Sequence, residues 1–125
     1  MIHHVSLGTN DIVAARAFYD PIMALLGFRM LKHDAGAAHY GIGEIQFSIA
    51  RPDDGAAAGS SNGVHIAFQA VDRPMVQAFH KLALAHGGSN AGAPAVRERY
   101  DPHYYAAFVT DPDGNKIEAL TFSSN

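Results

Sequence analysis

The chain opens MIHHVSLG, where Ile2, His4 and Ser6 alternate with His3, Val5 and Leu7 at the two-residue period of a strand, predicted over residues 2–8. The period then changes. In TNDIVAARAFYDPIMALLGF the positions Ala15, Phe18, Tyr19, Ile22, Leu25 and Leu26 recur at helical spacing, with Asn10 or Asp11 as N-cap, Pro21 as a kink or early break and Gly27 as the stop. Short runs at roughly 28–33, 37–42 and 44–50 then predict three strands.

The same grammar recurs further on. GVHIAFQA, residues 63–70, reads as a strand, and DRPMVQAFHKLALAHGG as a helix. That helix has Asp72 as cap, Pro74 in its first turn, a core stripe of Met75, Phe79, Leu82 and Ala83, and Gly87 and Gly88 as its stop. Three more strands are predicted at 95–100, 103–110 and 116–122. Sliding residues 4–27 onto 65–88 without a gap pairs His4 with His65, Val5 with Ile66, Leu7 with Phe68, Asp11 with Asp72, Phe18 with Phe79 and Gly27 with Gly88. Two βαβββ modules are therefore expected, residues 1–52 and 63–125, with the polar, Gly-rich stretch 53–62 as a flexible connector. Neither module can cover its own sheet. The expected fold is one α+β domain in which the modules pack into a curved, barrel-like sheet with the helices outside.

Composition narrows the function. A net charge of −3 with scattered Lys and Arg excludes the electrostatic footprint of a nucleic-acid or anionic-membrane partner, which leaves a small molecule as the expected ligand. The absence of cysteine excludes disulfides, thiolate nucleophiles and thiolate metal sites, so any metal must take N and O ligands. Neither a basic, apolar leader nor a long apolar span is evident, and a cytoplasmic location is expected. Exposed sheet edges lead to the expectation of a homodimer.

Three segments, IHHVSLGTNDIVAARAFY, VHIAF and the turn and strand DPDGNKIEAL, occur in this order and spacing over essentially the whole chain. In this the sequence resembles the vicinal oxygen chelate superfamily, which includes glyoxalase I, fosfomycin resistance enzymes, extradiol dioxygenases and bleomycin resistance proteins. The resemblance implies one divalent metal ion, held by residues from the first and last strands of the modules. The implied ligands are His4, His65 and Glu118. Aligning GEIQFS with NKIEAL places Gln46 opposite Glu118, an amide where a second carboxylate would complete the pattern.

Two imidazoles and a carboxylate suit Zn, Ni, Fe(II), Mn or Co and leave coordination positions open for a substrate chelated through oxygens. The cation would also offset the cost of burying Glu118, which doubles as the candidate catalytic base. Substrate-contact candidates are Ser6, on the same strand face as His4, Gln46, and Tyr104, Tyr105, Phe108 and Arg97 or Arg99 from RERYDPHYYAAF. His3, His33, His39, His80 and His86 lack paired context and read as structural or surface residues. The resemblance implies a metal-dependent lyase or isomerase, with an extradiol-type dioxygenase, a fosfomycin-type thiol transferase and a metal-free drug-binding protein as alternatives.

Overall fold

A computed structural model describes residues 1–125. Its elements run β1 (Val5–Gly8), α1 (Ile12–Leu25), β2 (Arg29–His33), β3 (Ala37–Ile42), β4 (Glu44–Ala50), β5 (His65–Gln69), α2 (Arg73–Ala85), β6 (Ser89–Val96), β7 (Tyr105–Thr110) and β8 (Lys116–Thr121). The two modules form separate four-stranded sheets, ordered β1-β4-β3-β2 and β5-β8-β7-β6, whose outer pairs β1–β4 and β5–β8 are parallel. The sheets curve without closing into a barrel. No helix is long and apolar enough to cross a membrane.

Local chemistry explains the elements. Asp11, rather than Asn10, caps α1 by accepting from Ala14 N, and Asp72 caps α2 by accepting from Met75 N. Asn10 instead exchanges two hydrogen bonds with the backbone of Ala58, which pins the connector expected to be flexible. The helix α1 continues through Pro21 to Leu25, held by Phe18, Tyr19, Ile22 and Met23, all fully buried. Both helices end on a glycine with positive φ, Gly27 at 92° and Gly87 at 100°. The next residue's N–H then bonds back to Met23 O or Ala83 O. Gly87, not Gly88, is thus the counterpart of Gly27, because α2 is one residue shorter than α1. Gly88 replaces Phe28. A Cβ there would lie 2.6 Å from Phe18 Cε1, so glycine is what lets α1 pack against the second module.

Two strand boundaries differ from expectation. The sixth strand spans Ser89–Val96 rather than 95–100, because small residues and Pro94 mask an edge strand whose register shifts at Gly92 and Ala95. Residues 97–104 instead fold back on themselves, with Arg97 N donating to Tyr104 O and Tyr100 N to Arg97 O. The first strand begins at Val5, which leaves His4 just ahead of it.

Alternating residues of both sheets, among them Phe47, Ile49, Phe68, Ala107, Val109 and Ile117, join the helices in a single core that spans the modules. Phe47 meets Phe68 edge to face at 5.3 Å across the module boundary. A polar knot reinforces that boundary. The buried Tyr19 donates to Asp111 Oδ2 at 2.6 Å, Asp111 Oδ1 accepts from the N–H groups of Asp113 and Asn115, and Asn115 Nδ2 donates both to Asp111 Oδ2 and to Gly8 O. Elsewhere Tyr40 donates to Asp20 Oδ1.

Burial, and then the charge and hydrogen bond of Asp111, hold the Tyr19 hydroxyl well above its ordinary range; burial and Asp20 do the same for Tyr40. Both groups ionise more readily in the unfolded chain, near pH 10. The contribution of these two groups to stability is therefore fully present below about pH 10 and is lost as the pH rises beyond it. Denaturant titrations between pH 8 and 11 should show that decline, and Tyr19→Phe should flatten it while lowering stability at neutral pH by about 1–3 kcal/mol.

Candidate active site

One face of each sheet meets the core and the other is open. In the second sheet β5 and β8 pair with Ala67 opposite Glu118, and β7 places Phe108 beside Glu118. Since Ile117 and Ala119 face the core, the alternation turns Glu118 to the open face. It is nevertheless buried, at 1% exposure. His65 Nε2 stands 3.1 Å from Oε1, and the Tyr104 hydroxyl donates to Oε2 at 2.5 Å, so each carboxylate oxygen has a polar neighbour. The Tyr104 ring lies between Tyr100 at 5.2 Å and Phe122 at 5.3 Å, and the His65 ring packs edge-on to Phe108.

Burial, followed by the hydrogen bond and charge of Glu118, raises the Tyr104 hydroxyl above its ordinary range. Tyr104 therefore remains a proton donor to Oε2 at neutral pH. A cavity of about 470 Å³ opens beside this pair, lined by His65, Arg97, Arg99, Tyr100, Tyr104, Phe108, Lys116 and Glu118, with Ala91 and Gly92 at its edge. A second, polar cavity of about 500 Å³ lies between β1 and β5 under the connector; it includes Ser6 and no acid or histidine.

The expected site residues are thus only partly assembled. His65, Glu118, Tyr104, Phe108 and Arg97 converge on one cavity. His4 lies exposed on the other module, its Nδ1 2.8 Å from His3 Nδ1, while His3 Nε2 lies 2.7 Å from Glu44 Oε1. No three His, Asp or Glu side chains of one chain are arranged to hold a metal ion. Tyr105 is a correction to the expected contacts. It faces α2, accepting from Gln77 Nε2 and stacking under Arg73 at 4.8 Å.

Gln46 is a second correction. Val5 pairs with Phe47 as Ile66 pairs with Ile117, so Ser48, not Gln46, is the counterpart of Glu118. A slip of two residues keeps every side chain on the same face, so alternation alone cannot detect it. Ser48 is buried and bonded to His39, while Gln46 Oε1 accepts from Ile42 N across the β3–β4 turn. Tyr100 and Lys116 line the cavity as well, although neither is among the expected site residues. Lys116 was legible, since it precedes Glu118 by two on the same strand face.

Comparison with known proteins agrees with this architecture. The family model of the Glyoxalase/Bleomycin resistance protein/Dioxygenase superfamily matches residues 1–119. A glyoxalase/bleomycin resistance protein from Albidiferax ferrireducens T118 superposes with a TM-score of 0.87 at 33% identity, over 94% of this chain and 95% of that one. A glyoxalase-related enzyme from Fulvimarina pelagi (TM-score 0.75, 17% identity, 96% and 86% coverage) shares the fold. So does a glyoxalase/bleomycin resistance protein/dioxygenase family enzyme from Burkholderia phytofirmans PsJN (0.74, 20%, 98% and 98%). No curated protein matches significantly.

Removing the Tyr104 hydroxyl leaves a buried carboxylate oxygen without its donor. Tyr104→Phe is expected to cost about 1 kcal/mol of stability, read from urea denaturation, with the near-ultraviolet signal of the Tyr100 and Tyr104 rings altered and the far-ultraviolet spectrum unchanged.

Proposed function

The chain belongs to the Glyoxalase/Bleomycin resistance protein/Dioxygenase superfamily, and from that premise we propose that it is a metal-dependent lyase or isomerase acting on a small substrate chelated through oxygens. The observation that carries the proposal is the buried Glu118 carboxylate with His65 Nε2 at 3.1 Å, beside an open cavity. The donor set fits a divalent ion. An N and an O ligand, each about 2.0–2.2 Å from one cation, lie about 3 Å from each other, and a carboxylate so deeply buried gains most from a neighbouring positive charge.

His65 and Glu118 would hold the ion from this chain, and His4 of a second copy would complete the set. Support for a homodimer comes from the sheet order: the outer strands of both sheets pair on one side only, which leaves edges for a second copy. When bound, the cation supplies Lewis-acid stabilisation of negative charge developing on substrate oxygens.

The chain's own groups divide the remaining work. Tyr104 fixes Oε2 of Glu118, so Oε1 is the oxygen left facing His65 and the cavity; released from ligation by the substrate's own oxygens, it can take a proton from a carbon next to a substrate carbonyl. The Tyr100, Tyr104 and Phe108 rings line the cavity beside the carboxylate and exclude water from it.

Metal analysis and Ni(II) titration should give one ion per wild-type chain, lost in His4→Ala, His65→Ala and Glu118→Ala. Wild type that holds no more metal than these variants would sink the proposal. A differently tagged pair, His4→Ala with Glu118→Ala, purified as a mixed dimer, should regain one of its two sites. No recovery would place all three ligands in one chain.

A further inference from the structure

We propose that the cavity beside Glu118 selects a small organic acid, a carboxylate or phosphonate attached to a flat apolar body. This substrate class rests on assigning the cavity as the substrate site. In a chain whose net charge is −3, the cavity reverses the sign: Arg97, Arg99 and Lys116 line it together with a single acid. That acid, Glu118, is already engaged by His65 and Tyr104. The chain's ion pairs, His3–Glu44, Arg16–Asp20 and His65–Glu118, involve none of the three cations.

Two of these cations are held in place against one ring. The Arg97 guanidinium lies 5.4 Å from the centre of Phe108, and Lys116 Nζ lies 4.9 Å from the same centre. Arg97 Nη2 is tied to Ala93 O at 2.6 Å and to Ala106 O at 3.3 Å, so the group cannot swing out to water, and its Nε is buried without any partner. Gly92 makes the arrangement possible, since a Cβ there would come 3.1 Å from Phe108 Cδ2 and 3.2 Å from Arg97 Nη2.

Arg99 adds a third cation at the rim, stacked over Tyr100 and donating to its hydroxyl. Like charges gathered over aromatic walls, with Glu118 already engaged, repel one another, and the Arg97 guanidinium is partly withdrawn from water. An anion placed among them relieves both costs. Arg97 Nη1 and the rim Arg99 keep N–H donors that can reach a carboxylate or phosphonate. The walls that remain, Tyr100, Tyr104 and Phe108, suit a flat apolar body next to the anionic group.

The test titrates benzoate, phenylphosphonate and the uncharged isostere benzamide into the full-length protein, as purified and again after Ni(II) loading, by calorimetry. Both acids should bind about tenfold or more tightly than benzamide in either state, and the preference should shrink at high salt. Benzoate ahead of phenylphosphonate assigns a carboxylate, and the reverse assigns a phosphonate.

Lys116→Gln, at an exposed side chain, and Arg97→Gln, checked for folding by circular dichroism, should each remove most of the preference and leave benzamide binding unchanged. Benzamide binding as well as the acids, no binding by any probe, or an unchanged preference in Lys116→Gln would overturn the inference. The metal stoichiometry of the same samples reports separately on the proposed enzyme. Protein that prefers acids but takes up no Ni(II) keeps the anion site and loses the metal, and the converse keeps only the metal.

Discussion

The contact on which the rest of the structure depends is the buried carboxylate of Asp111. Its two oxygens accept from Tyr19, from the backbone of Asp113 and Asn115, and from the Asn115 side chain, which also reaches Gly8 O. One residue thereby joins the first helix, the end of the first strand and the turn that starts the last strand. A buried carboxylate is tolerable only when it is satisfied this fully. Because the knot fixes where β8 begins, it also fixes which of its side chains reach the open face. Glu118 owes its position to Asp111.

The helices and the inner faces of both sheets share one core, so the outer faces are left uncovered. Chemistry collects there. On the second sheet the 97–104 fold-back brings Tyr100 and Tyr104 over β8, which buries Glu118 without removing it from the cavity. On the first sheet Ser48 and His39 bond to each other on the corresponding face, and His4 stays exposed.

The duplicated modules are most informative where they differ. The counterpart of Phe28 is Gly88, which makes room for Phe18. Glu118 beside Phe108 corresponds to Ser48 beside His39, so one copy offers an acid and the other a hydrogen-bonded serine and histidine. Repetition specified the scaffold. The substitutions that break it mark where the modules meet and where the candidate site lies.

Much of this was legible in the sequence, for a physical reason. Strand and helix periods, the caps Asp11 and Asp72 and the glycine stops act within a few residues, so they specified two βαβββ modules and turned Glu118 to one face. Interactions between distant residues decided the remainder. Alternation cannot separate registers that differ by two residues, so only the β1–β4 and β5–β8 pairings identified Ser48 as the counterpart of Glu118. The edge strand β6, built from small residues around Pro94, has no local signature and exists because β7 pairs with it. Tyr104 rather than Tyr105 reaches the acid because the fold-back sets their parity, and His65 alone joins Glu118 because the sheets keep separate open faces. Local periodicity carries the elements; long-range pairing and packing decide which side chains share a cavity.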